Sequence, residues 1–355
     1  MNAIDLIVPG ELNTPTGGYI YDREILAGLD ALGWRTAVHA LDPSFPRPTP
    51  AALRAARAAF ASIPAGRLVV IDGLALPGLD RILADEARRL NLVALVHHPV
   101  ALETGIDPAT ARHFEDAERR ALAHVRRVIT TSQWTARALA SYDVPVAALR
   151  VVEPGVDRRQ THGSTDPQTT GVAPAEHDTL NLLCVATLTP RKDHRTLLRA
   201  LARLRDLRWT SLCVGSTTRD PACAAGVRAD IRGLGLGRRI RLAGETDTAG
   251  LARHYRAASV FALASRHEGY GMAFAEALVH GLPVAAVRAG AVPLVVPSRA
   301  GLLVRPADPA ALAGALRRLL GPAGRRYARN ASALRFPDWR TQAVRLWAAV
   351  EELVP

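Results

Sequence analysis

Cysteine and long apolar runs are both scarce in this chain of 355 residues. Its three cysteines, Cys184, Cys213 and Cys223, form no Cys-x-x-Cys pair. A sparse, odd set argues against a disulfide framework or a zinc site, and it suits a reducing cytoplasm. No run approaches the roughly 18 apolar residues that span a bilayer. Residues 1–13 have no basic region and soon turn polar, so we predict a first β-strand there and not a signal peptide.

Aromatic residues are also few, at 5% of the sequence, so the stacking surfaces of a nucleic-acid binder are scarce. The net charge is nevertheless +12. Residues 1–160 hold 18 arginines and 18 acidic residues, whereas residues 161–355 hold 27 basic and 15 acidic residues. Two interpretations stay open: the second half faces an anionic ligand or membrane surface, or its arginines decorate solvated helices. We predict a cytoplasmic protein without a nucleic-acid partner. The first interpretation adds peripheral contact with the inner face of an anionic membrane.

Lysine is almost absent. Of the 45 basic residues, 44 are arginines, and Lys192 is the single lysine. An ammonium group is a compact, mobile point charge, whereas guanidinium is a planar fork, so the two are not interchangeable. Lys192 is therefore a functional candidate on composition alone.

Strand-like and helix-like segments alternate along most of the chain, which is typical of parallel sheets wrapped by helices. Residues 158–178, rich in Thr, Gly and Pro, interrupt the alternation and are interpreted as a linker. We predict an α/β protein with two Rossmann-like, doubly wound domains, over 1–157 and 179–335, facing each other across a cleft, and a C-terminal helix over 336–355 that crosses back to the first domain. The predicted strands are 3–9, 35–41, 67–72, 92–98 and 126–132, then 180–188, 211–216, 240–244, 259–265 and 282–290.

Two adjacent cations follow the first strand of the second domain. Arg191 and Lys192 lie in a short loop between that strand and a helix. Cations at the carboxyl end of a strand, beside a helix N-terminus, form a strong anion site. The alternative is a basic helix start with its charges in solvent, but a cation there opposes the helix dipole. Phosphate binding is the favoured interpretation.

The segment 267–287 combines acids and glycines between a strand and a helix. Glu268 and Glu276 have seven residues between them, and Gly269 and Gly271 let backbone N–H groups approach a ligand closely. Either acid alone is explained as a partner of the helix dipole. Their combination with the glycines, at a strand-to-helix connection, favours a binding site.

With these motifs in place, the chain resembles family 4 of the retaining glycosyltransferases, which have the GT-B fold. The resemblance covers nearly the whole chain, because several motifs occur in the family's order. These are TPTGGYIYDREILAGLDALG (14–33), TSQWTARAL (131–139), VVEPGVD (151–157), EGYGMAFAE (268–276) followed by ALVHGLPVAA, and GLLVRPADPAALAGAL (301–316).

The resemblance implies a role for each matching residue. Arg191 and Lys192 would pair with the donor pyrophosphate, which the Gly17–Gly18 loop would approach from the acceptor-side N-terminal domain. Glu276 would hold the ribose hydroxyls. His97 would lie near the transferred sugar, although a core histidine is the alternative there, as a plain turn is for Gly17–Gly18. The residues implied to meet the donor sugar are Glu268, Gly269, Tyr270, Gly271 and Met272.

Two departures from the family pattern stand out. Ala186–Thr187 occupies the place of a Gly-Arg pair, and Leu294 that of an acidic residue. There is also no Asp-x-Asp motif to hold a metal; the nearest segment, 245–247, is interpreted as a loop or helix cap. We therefore expect no metal and no cofactor besides the nucleotide-sugar, with Arg191 and Lys192 as the fixed counter-charge to the leaving group.

The predicted function is a hexosyltransferase of EC 2.4 class. It would move a hexose-type sugar from a UDP-, GDP- or dTDP-sugar to an unidentified acceptor, and retention of anomeric configuration is implied by the resemblance. A dehydrogenase would need a G-x-G-x-x-G after the first strand, and PGELNTPTGG does not fit. A catalytically silent subunit of the same fold stays open as an alternative, and a basic nucleic-acid binder rests on charge alone.

Overall fold

The computed structural model describes residues 3–156 and 180–354. The predicted linker at 158–178 lies outside the described residues. The chain divides into two compact units: unit 1 comprises residues 1–155 and 337–355, and unit 2 comprises residues 156–336. Each unit is built on a six-stranded sheet in which all neighbouring strands are parallel.

The sheet of unit 1 has the strand order β2-β1-β3-β4-β5-β6. Every residue of β1, β3, β4 and β5 is buried, as expected for central strands covered by helices on both faces. The order reverses between β1 and β3, so the ends of these strands flank the ligand position of a doubly wound sheet. The strands are β1 (Ala3–Pro9), β2 (Arg35–Leu41), β3 (Leu68–Asp72), β4 (Asn91–Val96), β5 (Arg127–Thr130) and β6 (Leu149–Val151). The helices are α1 (Gly17–Asp30), α2 (Pro50–Ser62), α3 (Asp80–Glu86), α4 (Pro108–Leu122), α5 (Gln133–Ala138) and α13 (Trp339–Val350).

The sheet of unit 2 has the order β12-β11-β10-β7-β8-β9 and reverses between β7 and β10. Its candidate site residues follow these two strands. The strands are β7 (Leu180–Val185), β8 (Trp209–Val214), β9 (Ile240–Gly244), β10 (Val260–Leu263), β11 (Val284–Val287) and β12 (Gly301–Val304). The helices are α6 (His194–Leu201), α7 (Pro221–Gly233), α8 (Thr248–Ala257), α9 (Met272–Val279), α10 (Val292–Val295), α11 (Pro309–Leu320) and α12 (Gly324–Ser332). Among the described residues, no helix has both the length and the apolar character needed to cross a membrane.

The start of α1 corrects one prediction. Gly17 and Gly18 do not form a loop, because α1 already begins at Gly17. The side chain of Thr16 accepts a hydrogen bond from Tyr19 N at 3.3 Å, which caps the helix and draws both glycines into its first turn.

The two strands that the sequence pattern missed, β6 and β12, both lie at a sheet edge. Both are short and partly exposed, so each offers only a short apolar run; β6 has three residues and β12 has four.

The last helix, α13, completes the core of unit 1 by packing on α1. A Cβ atom added to Gly28 would lie 2.6 Å from the Cβ of Ala343, so the two backbones approach closely there. The rings of Trp34 and Trp347 have centroids 4.5 Å apart. The C-terminal helix is thus part of the N-terminal core.

Candidate donor and sugar sites at the strand ends

Three of the predicted site residues meet after β7 and β10 in unit 2. Lys192 Nζ lies 2.6 Å from Glu268 Oε1, and Arg191 Nη1 lies 3.6 Å from Glu268 Oε2. Arg191 Nη1 also donates to the carbonyl oxygen of His267 at 3.2 Å. The side chains of Lys192 and Glu268 are 17% and 7% exposed. Two cations therefore surround one carboxylate at the reversal point of the sheet.

Burial and ion pairing act in opposite directions on these groups. Burial would raise the pKa of Glu268, but the charges of Lys192 and Arg191 hold it below its usual range, so Glu268 is ionised. Burial lowers the pKa of Lys192, while the Glu268 carboxylate opposes that shift. Removal of either partner would leave a buried charge less well compensated.

The backbone beside Lys192 is held by residues that the sequence reasoning did not select. Asp193, in the left-handed region with φ of 42°, caps α6 by accepting from Thr196 N at 3.3 Å. Its carboxylate also pairs with Arg266 Nε at 3.1 Å. Behind Lys192, burial and the ammonium charge lower the pKa of His194 to about 4, so this imidazole is neutral. The loop that carries the cations is thus pinned to α6 and to the end of β10.

Glu268 is held by the loop after β11. Gly290 has φ of +55°, and a Cβ there would collide with the backbone N and O of Glu268. The next residue, Ala291, donates its N–H to Glu268 O at 2.9 Å. Gly290 is required at this position for both conformation and space.

The predicted donor-sugar segment continues into α9. Gly269 and Tyr270 are buried, and Gly271, with φ of +100°, is the N-cap of α9, whose first residue is Met272. The helix therefore begins four residues after Glu268.

Glu276 does not join the Lys192 cluster; within the described residues, Tyr255 is its recorded partner. Tyr255 Oη donates to Glu276 Oε2 at 2.8 Å, and its ring stacks on His280 with centroids 5.0 Å apart. Burial raises the pKa of Glu276 to about 7, and the Tyr255 hydrogen bond opposes the shift only weakly. Glu276 is thus poised to change charge near neutral pH.

In unit 1, His97 directly follows β4 and lies between two aspartates. Its Nε2 is 3.1 Å from Asp22 Oδ1 and 3.4 Å from Asp72 Oδ2. A Cβ on Gly18 would approach His97 Cδ2 to 3.1 Å, so the first turn of α1 touches the imidazole ring. The fold thus brings Gly18 into contact with His97. Gly17 is the first residue of α1.

The side chains of this group shift the pKa values of His97 and Asp22. Burial would lower the pKa of His97, but Asp22 and Asp72 raise it to about 10. Burial raises the pKa of Asp22 to about 6, with the imidazolium opposing that shift. Among the described residues, these three form the group that offers a metal ion nitrogen and oxygen ligands, with ligand atoms within 4.8 Å of one another.

Sequence reasoning missed Asp22 and Asp72, although each carries a signal. Asp22 shares the buried face of α1 with Ile25, Leu26 and Leu29, where a charged residue is unusual. Asp72 ends an apolar strand, β3, at the edge where ligands bind.

The departures from the family pattern are now located. Leu294 lies on α10 and is 52% exposed, while Ala186 is buried directly after β7. The segment 245–247 provides a helix cap, as predicted: Asp247 accepts from Gly250 N at 2.7 Å at the start of α8.

Comparison with known families and structures agrees with this architecture. Residues 17–160 match the model described as Glycosyltransferase Family 4, and residues 179–321 match that described as Glycosyl transferases group 1. D-inositol 3-phosphate glycosyltransferase of Corynebacterium jeikeium is 30% identical over 241 residues, which is 64% of this chain and 57% of the relative. The chain spans about half to two thirds of the length of the curated relatives it matches.

Two solved structures cover nearly all of both chains. Sucrose-phosphate synthase from Thermosynechococcus elongatus has a TM-score of 0.82 at 23% identity, covering 99% of each chain. Anabaena HepE in complex with UDP-glucose has a TM-score of 0.77 at 19% identity, covering 98% of this chain and 99% of its own. With the two parallel sheets, these likenesses confirm the predicted GT-B fold.

Proposed function

Since this chain belongs to glycosyltransferase family 4, we propose that it transfers a hexose-type sugar from a nucleotide-sugar to an acceptor, with retention of configuration and without a metal ion. The matched families and curated relatives are glycosyltransferases. The donor would be a UDP-, GDP- or dTDP-sugar, and the binding of UDP-glucose by the Anabaena neighbour makes UDP-sugars the first to test.

The observation that carries this proposal is the pair of cations around Glu268. Sugar transfer leaves a nucleoside diphosphate with new negative charge, and catalysis needs a preorganised counter-charge for it. Arg191 and Lys192 supply two positive charges after β7, and both lie beside Glu268. A diphosphate would pair with both cations. Glu268 would then accept a hydrogen bond from a hydroxyl group of the sugar.

The same arrangement supports the proposal of metal independence. A metal-dependent enzyme would hold its ion with carboxylates beside the diphosphate. At the position proposed for the diphosphate in unit 2 lie an ammonium and a guanidinium group. We expect the acceptor to attack on the face from which the diphosphate departs, and the departing phosphate to take up the acceptor proton.

A thermal-shift screen tests donor binding. UDP, GDP and dTDP, and then the corresponding hexose derivatives, are added to the full chain and to Lys192→Met. A ligand at 100 times its dissociation constant adds roughly 2.7 kcal/mol, which raises the melting temperature of a chain of this size by several degrees. One base should stabilise the wild type, with a smaller shift in the variant. No shift with any nucleotide would contradict the proposal.

Turnover separates an enzyme from a silent subunit of the same fold. The nucleotide that stabilises the chain identifies the donor, and release of its diphosphate is then followed with candidate acceptors and with water. Slow hydrolysis of the donor alone would already show an active centre. Tight binding without any release, across acceptors, would favour the silent alternative.

A further inference from the structure

In unit 1, carboxylate oxygens of Asp22 and Asp72 lie beside one ring nitrogen of His97. We propose that Asp22 and Asp72 are positioning residues that keep His97 a cation. Its other ring nitrogen, Nδ1, is then a hydrogen-bond donor and not a general base. This inference rests on the proposed function for its catalytic meaning, because His97 is the residue taken to face the transferred sugar.

The contacts of Nε2 fix where one proton lies. Two carboxylate oxygens, Asp22 Oδ1 at 3.1 Å and Asp72 Oδ2 at 3.4 Å, approach the same ring nitrogen. A bare lone pair on Nε2 would repel both oxygens, so Nε2 carries a hydrogen shared between them. A ligand that bonds to the ring would therefore use Nδ1. Within residues 3–156 and 180–354, the hydrogen bond of the ring is made by Nε2 and not by Nδ1.

Burial argues that Nδ1 carries a proton as well. The side chains of Asp22 and Asp72 are 0% and 3% exposed, and that of His97 is 20% exposed. Two carboxylates removed from water need a compensating positive charge nearby. Asp72 Oδ1 accepts from Leu74 N at 2.8 Å, whereas Asp22 Oδ2 has no hydrogen-bond partner among the described residues. A doubly protonated imidazole is the cation in contact with both acids.

The ring has little freedom to turn away. The carbonyl oxygen of His97 accepts from the hydroxyls of Thr131 and Thr135, at 3.2 and 3.1 Å. The ring of Tyr21 packs edge-on against the imidazole, with centroids 5.3 Å apart, and Gly18 lies on it from α1. Tyr21 donates to Val152 O at 3.0 Å, and burial raises its pKa, so it stays neutral. Among the described groups around the ring, charge therefore comes from the two aspartates.

The same three side chains could instead bind a divalent metal ion. That alternative requires the lone pair of Nε2, which the shared proton occupies. A transition metal would have to displace this proton, which lies between two carboxylate oxygens that both stabilise it. The proposal therefore assigns a proton to the centre of the group, and metal binding is an outcome of the test.

The first experiment measures the protonation of His97 without reference to activity. Long-range ¹H–¹⁵N spectra of the ¹⁵N-labelled full chain distinguish the cation from both neutral tautomers, and His97→Gln identifies the His97 signals. We expect the cation from pH 6 to pH 9 in the wild type, and a neutral ring by pH 8 in Asp22→Asn or Asp72→Asn. A neutral His97 in the wild type at pH 7.5 would overturn the proposal. So would a saturable shift of the His97 signals with one equivalent of Zn²⁺ or Mn²⁺.

The second experiment tests the positioning role through the pH profile. In Asp22→Asn, kcat/KM should fall by roughly tenfold or more at pH 8.5, and recover part of the loss at pH 6.5, where the variant's His97 is protonated again. The matched control is Asp5→Asn, because Asp5 is another buried aspartate of unit 1 that contacts a histidine, His39 at 2.7 Å, and it also pairs with Arg67 at 2.8 Å. It should lower stability without moving the alkaline limb.

The two experiments keep the failures apart. An Asp22→Asn profile parallel to the wild type, while His97→Gln is inactive, would overturn the positioning role alone. Full activity of His97→Gln would remove His97 from the proposed reaction, and no donor turnover by the wild type would remove the reaction itself. In both cases the spectra still decide whether the two aspartates keep His97 charged.

Discussion

Unit 1 and unit 2 share a sheet architecture but carry opposite charge at the ends of their strands. In unit 1 one imidazole lies between two buried carboxylates, whereas in unit 2 one carboxylate lies between two cations. The second arrangement suits a diphosphate, which needs fixed positive charge. The first offers oriented hydrogen-bonding groups, which suit a neutral sugar. The comparison shows that the fold sets the position of a site, while the side chains at the strand ends set its chemistry.

Lys192→Met should give the largest change, because it removes one of the two cations that surround Glu268 in unit 2. We expect transfer to fall by roughly a hundredfold or more, on the scale of a lost oxyanion-hole donor, about 3 kcal/mol. Initial rates at saturating donor measure this. Lys192→Arg keeps the charge and changes the shape, and we expect it to restore only part of the rate. Arginine is the basic residue at the 44 other positions, so the lysine at position 192 indicates that the ammonium group itself is needed.

Arg195→Met is the matched control for this change. Arg195 lies on α6, three residues from Lys192, but its side chain is 58% exposed and pairs with Asp230. It should leave the rate unchanged. Circular dichroism must show both variants folded, and near-wild-type turnover in folded Lys192→Met would contradict the assignment.

Glu276 should make donor affinity depend on pH. Its pKa is raised to about 7, and only the ionised form accepts hydrogen bonds at both oxygens, so affinity for the nucleotide-sugar should rise from pH 6 to pH 8, by up to tenfold per unit below the pKa. Calorimetric titration with a nucleotide-sugar is suitable, because its diphosphate does not titrate in this range. Glu276→Gln should bind weakly with a flat profile; a flat wild-type profile would show that Glu276 does not contact the donor.

The same group has a predictable effect on stability, with the opposite sign. A carboxyl group with a raised pKa binds a proton in the folded chain that the unfolded chain has already released. Its contribution is therefore fully present below pH 4.5 and is lost as the pH rises through about 7. Glu276→Gln should melt a few degrees above the wild type at pH 8 and close to it at pH 5. Equal melting temperatures at pH 8 would show that burial does not penalise the carboxylate.

The arginines of unit 2 allow a smaller test of the charge difference between the halves. Arg325 and Arg326 are exposed at the start of α12, whereas Tyr327 of the same helix is buried. If this surface contacts an anionic membrane, each arginine adds about 1 kcal/mol. Co-sedimentation with anionic vesicles should then fall by roughly a factor of ten or more in Arg325→Glu/Arg326→Glu, and also at high salt. The control, Arg54→Glu/Arg88→Glu, changes exposed arginines of unit 1; equal binding of all three proteins would mean that the arginines of unit 2 are only solvated.

Removal of metal ions should leave the rate of transfer unchanged. If fixed cations provide the counter-charge, transfer should persist in excess EDTA at the wild-type rate. Initial rates before and after dialysis against the chelator measure this, with magnesium and manganese added back in turn. Activity that disappears and returns with either ion would replace the fixed-cation mechanism by a metal-dependent one.

The sequence pattern predicted the strands of the sheet centres better than those of the edges. All eight central strands were placed, because they have apolar runs, and so were two of the four edge strands, β2 and β9. The two that were missed, β6 and β12, are short edge strands that are partly exposed. The Gly17–Gly18 error has a similar local cause. Glycine pairs are typical of loops, but the Thr16 cap starts a helix there. Gly18 is explained by its contact with His97, which leaves little room for a side chain.

The candidate site was predictable where its chemistry is local in sequence. Arg191, Lys192 and Glu268 follow recognisable strand ends, although their mutual contacts depend on the pairing of β7 with β10. Asp22 and Asp72 were out of reach for that reason: they meet His97 across separations of 75 and 25 residues, and only the order β1-β3-β4 places them together. Strand order is a property of the whole sheet, so no short motif contains it.

The position of α13 has a consequence for synthesis on the ribosome. Unit 1 is discontinuous, because its core is completed by residues 337–355 after the chain has passed through all of unit 2. Trp339 packs on Tyr21, whose ring also packs on His97, with centroids 5.8 and 5.3 Å apart. During synthesis, the apolar face of α1 is therefore uncovered until α13 has left the ribosome. Unit 1 is completed only after unit 2, and a chain that stops short of α13 lacks the packing of Trp339 on Tyr21 beside His97.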